Sequence, residues 1–318
     1  MNDLTPRKLG GSLIERAAKV YDFSAELRAR NPQPPLTEAE AEPRLAPAPL
    51  TLVEPAAVDA PAELPVFAAA PAGDEVAVID RAMLATNGLL VPDAPVGALA
   101  EEFRLVKRQL MVTARSLRRT DADKSRTILV CSAKPNDGKT YCAVNLAISM
   151  AAEREVEVIL IDADFAKPDV MSRLGLVEGR GLLDALADPA IDIETCVVPT
   201  DIPQLSVLPA GTKSHSDTEL LGSARTAKLI AGLLAADPRR VLIFDSPPVL
   251  AASPAAVLAH HAGQTVLVVR ADRTVESDLR EAVALLDGCE EIQLLLNAVS
   301  YAPGGRRFGN YYGQEESK

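Results

Sequence analysis

The sequence predicts an α/β domain built on a parallel sheet that carries helices on both faces. From about residue 97 onward, short apolar runs alternate with helical patterns, and continuous apolar strands are typical of parallel sheets buried on both sides. The first 95 residues differ, since they hold 13 of the 24 prolines. We therefore expect a mostly disordered N-terminal region ahead of the folded domain.

The N-terminal region divides into two parts. In residues 1–30 we expect a short helix, because residues 12–15 have capping-box spacing and Leu13, Ala17 and Val20 share one helical face. This helix would pack on its own core or dock on a partner, and the sequence favours neither. Residues 31–76 predict an extended linker, since 21 of the 40 residues from Pro32 to Pro71 are proline or alanine.

The folded domain is predicted over residues 77–300, followed by a flexible tail over 301–318. Residues 78–84 are helix-like and precede stop signals at Gly88 and Pro92. A longer helical pattern runs from Leu99 to Leu117. The expected strands are 127–132, 156–162, 205–209, 241–245, 265–270 and 292–297, and the helical patterns between them are 143–152, 217–234 and 275–286.

Composition excludes several classes of protein. The net charge of −11 argues against a nucleic-acid-binding protein. Four cysteines, Cys131, Cys142, Cys196 and Cys289, form neither a C-x-x-C pair nor a metal-ligand spacing, so we expect reduced thiols and a cytoplasmic protein. No apolar run reaches the roughly 18 residues that a membrane span needs. We expect that the chain does not cross a membrane unaided.

A phosphate-binding motif follows the first predicted strand. That strand runs into Ala-Lys-Pro-Asn-Asp-Gly-Lys-Thr, and a helix begins at once. A helix N-terminus presents free N–H groups to phosphate oxygens, and Gly138 permits close approach of the backbone. The motif departs from the consensus at Ala133, where glycine is usual. It predicts a P-loop NTPase-type sheet whose nucleotide contacts come from Ala133, Lys134, Pro135, Asn136, Asp137, Gly138, Lys139, Thr140 and Tyr141.

Three aspartates end two of the other predicted strands. Asp162 and Asp164 follow one strand, and Asp245 ends the strand before Ser-Pro-Pro. The carboxyl ends of parallel strands meet beside the first strand–helix loop, where ligands bind in this architecture. Carboxylates there hold Mg²⁺, orient a nucleophile or accept its proton. The alternative is that they are turn residues that cap helices.

With these motifs, the chain resembles the cytoplasmic bacterial tyrosine kinases of exopolysaccharide assembly. The loop and the Ser-Leu-Ile-Glu-Arg-Ala-Ala segment look closest to tyrosine autokinases of exosortase-linked loci. The similarity covers about residues 78–312, with a weaker echo at 12–18. The resemblance implies an ATP- and Mg²⁺-dependent kinase in which Lys139 and Asp164 act in catalysis and Asp162 accepts the tyrosine proton. It also implies that Thr140, Asp162, Asp164 and Asp245 bind the metal.

The resemblance extends to contacts outside the loop. Related P-loop proteins place an adenine-contacting residue where Asn297 ends the last predicted strand; the alternative is a plain turn residue. The family's Glu-x-x-Arg-x-x-Arg subunit-contact motif matches Glu101, Arg104 and Lys107, with lysine replacing the last arginine. The segment from Arg104 to Arg126 contains eight basic residues and only two acidic ones. This excess indicates either a solvated basic face or a surface for an acidic partner or anionic lipid.

The tail and the partners follow from the same resemblance. Three of the five tyrosines, Tyr301, Tyr311 and Tyr312, lie in the last 18 residues, and the family phosphorylates such tyrosines between subunits. The implied partners are further copies of this chain and a membrane-embedded polysaccharide co-polymerase that recruits the kinase to the inner face of the plasma membrane. Lys134 supports a different hypothesis, a partitioning-type P-loop ATPase without kinase activity, because such ATPases carry their signature lysine at this position.

Overall fold

The computed structural model describes residues 76–214 and 217–299. Within these ranges the chain forms one sheet of seven strands. The spatial order is β3-β4-β2-β5-β1-β6-β7. All neighbouring strands are parallel except β3, which runs antiparallel to β4. The strands are β1 (Thr127–Ser132), β2 (Glu157–Asp162), β3 (Val198–Pro199), β4 (Leu205–Leu208), β5 (Arg240–Asp245), β6 (Gln264–Arg270) and β7 (Glu291–Asn297).

Nine α-helices lie in the described ranges and connect these strands. They are α1 (Arg81–Thr86), α2 (Ala98–Leu117), α3 (Lys139–Ala151), α4 (Val170–Leu174), α5 (Leu182–Ala187), α6 (Asp217–Leu221), α7 (Ala224–Ala236), α8 (Pro254–Ala259) and α9 (Glu276–Leu285). The predicted N-terminal helix, the linker up to residue 75 and the tyrosine tail lie outside the described residues.

The sheet has a separate apolar core on each face. Successive side chains of β1 point to opposite faces, so Ile128 and Val130 pack with α2 and α3 while Leu129 and Cys131 pack with α5, α7 and α8. Every residue of β1 is buried. This arrangement confirms the predicted parallel sheet with helices on both faces, and it holds the carboxyl ends of β1, β2 and β5 side by side.

Three details differ from the sequence-based expectations. The helix expected at 78–84 begins at Arg81, because Ala77 pairs with Thr200 in a bridge beside the sheet. The single helix expected over 217–234 is two helices, which Gly222 and Ser223 separate. The strand β3 and the helices α4, α5 and α8 were not expected, since two to six residues are too few to show periodicity.

All four cysteines are buried free thiols. Within the described ranges, no three or more His, Cys, Asp or Glu side chains are grouped so that they could hold a metal ion by themselves. None of the described helices combines the length and the apolarity that a membrane crossing requires.

Candidate nucleotide-binding site

The loop between β1 and α3 has the backbone of an anion-binding site. Gly138 precedes the first residue of α3 and has φ of 95°, a conformation that costs glycine little. A Cβ atom at this position would collide with Nδ2 of Asn297, so a larger residue would displace that side chain from the loop. The first N–H groups of α3 therefore face the open side of the loop, where phosphate oxygens bind.

Side chains from within the protein hold the loop in this shape. The buried Asp137 accepts a hydrogen bond from the N–H of Lys134 at 3.2 Å. Asn297 donates from Nδ2 to the carbonyl oxygen of Asp137 at 3.0 Å. Ser132 donates from Oγ to the carbonyl oxygen of Lys134 at 2.8 Å. These contacts come from the protein's own side chains and backbone, and they hold the loop in a phosphate-binding shape.

Lys139 at the start of α3 reaches across to the end of β2. Its Nζ lies 2.5 Å from Oδ2 of Asp164, and both side chains are largely buried. Burial lowers the pKa of Lys139, but the charges of Asp245, Asp164 and Asp162 outweigh burial and raise it. The ammonium group is therefore charged and held close to three carboxyl groups. A phosphate that enters the loop competes with Asp164 for it.

Asp162 lies deeper than Asp164 and shapes the segment that follows β2. Its Oδ2 accepts hydrogen bonds from the N–H groups of Asp169 and Val170, each at 3.0 Å, and its Oδ1 accepts one from Asp164 at 3.2 Å. The side chain is fully buried. Burial raises its pKa to about 7, although the three backbone hydrogen bonds act in the opposite direction.

Asp245 at the end of β5 is the least compensated charge of the site. It is fully buried, and among the described residues no donor has hydrogen-bond geometry to either of its oxygens. Burial raises its pKa to about 7, Lys139 and the nearby Thr140 hydroxyl lower it, and Asp162 raises it further. A buried carboxylate without donors is costly to leave unpaired. Its oxygens, with Thr140 and Asp164, are the hard ligands that Mg²⁺ prefers, so these residues fit a magnesium ion.

A cavity of about 300 Å³ opens between the loop and these acids. It is lined by Asn136, Lys139, Thr140, Asp164 and Lys167, with a wall from Pro247 and Pro248. A larger cavity of about 840 Å³ lies elsewhere, between the loop 89–97 and the start of α2, and none of the three aspartates lines it. Because Lys139, Thr140 and Asp164 line the smaller cavity, it is the candidate nucleotide site. Lys167 is exposed at its mouth and, within the described chain, forms no ion pair.

Two residues of the predicted nucleotide set point away from the loop's open face. Lys134 directs Nζ toward Asp278 of α9, at 2.5 Å from Oδ2. Tyr141 donates from its hydroxyl to the carbonyl oxygen of Gly88 at 3.0 Å, and burial raises its pKa. Both residues thus connect the loop region to neighbouring elements in this form, and Tyr141 also lines the cavity.

The predicted subunit-contact residues have different surroundings. Glu101 and Arg104 pair with each other on the surface of α2. Lys107 is buried, and its Nζ lies 2.6 Å from Oε1 of Glu153 and 3.0 Å from the carbonyl oxygen of Ser149. Lys107 is therefore fully engaged within its own chain and packs α2 against α3. Tyr301, Tyr311 and Tyr312 lie outside the described residues.

Sequence reasoning missed the partners that brace the loop from the far side of the sheet. Asp278 holds Lys134, and Arg270 donates from Nη1 to the carbonyl oxygen of Asn136 at 2.7 Å. Both lie more than 130 residues after the loop. No motif spacing connects them to it, because their proximity arises only when β6 and α9 pack beside β1.

Comparisons with known proteins find similarity to bacterial tyrosine-protein kinases. No protein-family model matches the chain. The tyrosine-protein kinase Wzc of Salmonella typhimurium is 29% identical over 194 residues, which are 60% of this chain and 26% of Wzc. The tyrosine-protein kinase YwqD of Bacillus subtilis is 29% identical over 226 residues, 69% of this chain and 92% of YwqD. The crystal structure of the VpsO kinase domain superposes with a TM-score of 0.51 at 29% identity, over 62% of this chain and 97% of that domain.

The share of each relative that this chain covers differs widely. The chain spans about a quarter of the length of Wzc, 26%, but nearly all of YwqD and of the VpsO domain. The similarity to the VpsO kinase domain confirms the predicted P-loop NTPase-type fold.

Proposed function

We propose that this chain, a relative of the bacterial tyrosine-protein kinases in sequence and in fold, is an ATP-dependent protein-tyrosine kinase. The observation that carries the proposal is the convergence of Lys139, Asp164 and the uncompensated Asp245 at a preorganised phosphate loop. Phosphoryl transfer needs positioning and charge neutralisation more than covalent help from the protein. This site supplies both.

Each residue has a role in that reaction. The N–H groups at the start of α3 bind phosphate oxygens, and Lys139 exchanges Asp164 for the transferred phosphoryl group. Thr140, Asp164 and Asp245 would hold Mg²⁺, with Asp162 beneath them, and the ion would neutralise charge on the phosphates. Asn297 would lie near the adenine, since its amide already touches the loop. Lys167 stands at the cavity mouth, on the side from which a tyrosine would enter.

Two aspartates, Asp162 and Asp164, are candidates for the base that accepts the proton of the tyrosine hydroxyl. The family resemblance assigns it to Asp162, whose raised pKa of about 7 suits a base at neutral pH. In this form its oxygens already accept three backbone N–H groups, whereas Asp164 lines the cavity. We propose that Asp164 is the carboxylate that meets the tyrosine hydroxyl unless the segment 163–170 moves.

The substrates and partners follow the family resemblance. We propose that Tyr301, Tyr311 and Tyr312 are phosphorylated by neighbouring copies, with Glu101 and Arg104 in the contact between copies. The activity would regulate exopolysaccharide synthesis or export. A membrane-embedded polysaccharide co-polymerase would activate the kinase and recruit it to the inner face of the plasma membrane.

The proposal is tested by intact-mass and phosphotyrosine analysis of the purified full chain with Mg-ATP. The wild type is compared with Lys139→Met and with Lys228→Met, a control that changes an exposed lysine elsewhere. We expect phosphate on tail tyrosines in the wild type and the control, and none in Lys139→Met. ATP hydrolysis without phosphotyrosine, even with a co-polymerase tail present, would refute the kinase and favour the partitioning-type ATPase that Lys134 suggests.

A further inference from the structure

A stripe of five exposed residues starts on the outward face of α2 and ends in the turn after it. Leu105, Arg108, Val112 and Arg115 lie on the helix at spacings of three and four residues, which places them along one line, and Arg119 lies in the turn that follows Leu117. Phe103 and Leu110, on the opposite face of the helix, are buried in the core. The helical part of the stripe is about 15 Å long at 1.5 Å per residue.

Among the described residues, the arginines of the stripe have no acidic partners. Within the described part of the chain, no carboxylate lies within ion-pair distance of Arg108, Arg115 or Arg119, nor of the adjacent Arg118. The other arginines of this region are engaged, since Arg104 pairs with Glu101 and Arg126 pairs with Asp123. This local positive charge contrasts with the net charge of −11 for the whole chain. These exposed guanidinium groups are therefore available to an anionic surface.

The stripe also exposes apolar side chains that the core does not use. Leu105 is 48% exposed and Val112 is 53% exposed. They alternate with the arginines along the helix instead of clustering in a groove. None of the five stripe residues lines either of the two cavities described above. A partner that fits the stripe is therefore broad and flat, offers many anionic groups and accepts apolar side chains at shallow depth.

We propose that this stripe docks the protein on an anionic lipid bilayer. Guanidinium groups pair with phosphate in forked geometry, and long arginine side chains reach headgroups while the shorter Leu105 and Val112 enter the interface between headgroups and acyl chains. An acidic protein would satisfy the arginines equally well, but the exposed apolar residues would then need a pocket. The bilayer accounts for both kinds of side chain.

The contact is independent of the kinase reaction. The stripe lies on the opposite side of α2 from Lys107, and none of its residues contacts the phosphate loop. If the kinase proposal failed, the proposed contact with the bilayer would still stand. Each arginine near an anionic surface contributes about fivefold to binding, and the contribution decreases with salt.

The test is co-sedimentation of the full chain with vesicles. One set contains phosphatidylcholine alone, and the other contains equal parts of phosphatidylcholine and phosphatidylglycerol. The variant Arg108→Gln/Arg115→Gln is compared with Lys228→Gln/Arg273→Gln, which removes the same charge from exposed positions elsewhere. We expect the wild type and the control to bind only the anionic vesicles, and the stripe variant to bind about 30-fold more weakly.

A second variant tests the apolar part of the stripe. Leu105→Ser/Val112→Ser should weaken vesicle binding while leaving its decrease with salt unchanged, since the charges remain. Circular dichroism and thermal unfolding check that each variant is folded. Equal losses in the stripe variant and the control would overturn the proposal. So would sedimentation with neutral vesicles, or a wild type that ignores vesicles and binds polyglutamate, which would identify the stripe as a surface for acidic protein.

Discussion

At the scale of single residues, the site is defined by carboxyl groups that the fold buries before any ligand arrives. Asp162 and Asp245 both have pKa values raised to about 7 because of burial. One is surrounded by backbone N–H groups and the other by none. Asp162 therefore shapes the segment after β2, whereas Asp245 is available to a cation.

The buried Asp245 predicts how stability depends on pH in the ligand-free protein. In the unfolded chain this carboxyl group loses its proton near 3.8, whereas in the folded chain it keeps it until about 7. The unfolded state binds fewer protons between these values, so the free energy of unfolding falls as pH rises through this window. Asp162 acts in the same direction. The Asp245 share is on the order of 2–4 kcal/mol.

Urea unfolding at several pH values checks this expectation. Asp245→Asn should flatten the decline in stability, because its side chain stays uncharged. Asp287→Asn, at an exposed position, should leave the decline as it is in the wild type. An Asp245→Asn protein that loses stability with rising pH as steeply as the wild type would show that this carboxyl group is not the cause.

Asp162 and Asp164 should respond differently to the same substitution. In Asp162→Asn the amide NH₂ must replace either Oδ2, which accepts the N–H groups of Asp169 and Val170, or Oδ1, which accepts the N–H of Asp164. Either way at least one buried N–H loses its acceptor, which costs about 1–3 kcal/mol of stability. Asp164→Asn keeps the fold but removes the carboxylate in the cavity, so tyrosine phosphorylation should fall about 100-fold or more.

The melting temperature and the rate of phosphotyrosine formation distinguish the two outcomes. Both variants are assayed well below their melting temperatures. If Asp162→Asn is as stable as the wild type and yet inactive with unchanged ATP affinity, then Asp162 accepts the proton and the assignment to Asp164 is wrong.

At the scale of elements, the sequence located the main strands within about a residue because each is a continuous apolar run between turn signals. The strand-end aspartates were predicted for the same reason. The surroundings of Lys107 and Lys134 were not predictable. Lys107 pairs with Glu153, just after the end of α3, and Lys134 pairs with Asp278 of α9. Such contacts depend on how the helices pack rather than on a local pattern.

The contact between the loop and α9 predicts a measurable coupling. The Lys134–Asp278 pair is partly exposed, so its contribution to loop geometry is modest, about twofold to fivefold in ATP affinity. Lys134→Ala and Asp278→Asn should each weaken ATP binding by that factor, and the double variant should be no weaker than either single one. If the two losses multiply in the double variant, the pair does not act as a unit.

At the scale of the whole molecule, charge is unevenly distributed over the chain. The net charge is −11, yet the outer face of α2 is basic and the nucleotide site gathers three buried acids. Under the two proposals, a divalent ion with its nucleotide would compensate the acids, and an anionic membrane would compensate the arginines. The acids lie at the ends of β2 and β5 and the arginines lie on and just after α2, so the protein can bind both partners at the same time.

The proposed transfer between copies predicts the outcome of a mixing experiment. A Lys139→Met chain keeps its tail tyrosines but lacks the lysine that binds phosphate. A chain with Tyr301→Phe, Tyr311→Phe and Tyr312→Phe keeps the site but lacks the tail acceptors. Neither protein alone should gain tail phosphotyrosine with Mg-ATP. Mixed together, the Lys139→Met chain should become phosphorylated, because its tail enters the intact site of the other chain.

Mass spectrometry identifies the labelled chain, since the two variants differ in mass. The rate should rise with total concentration, because the acceptor and the site meet by association. Glu101→Ala in both chains should slow the reaction if α2 contributes to that contact, whereas Glu290→Ala, an exposed acid in the turn before β7, should not. Phosphate that appears on the wild type at a rate independent of concentration, while the mixture stays unlabelled, would place the transfer within a single chain.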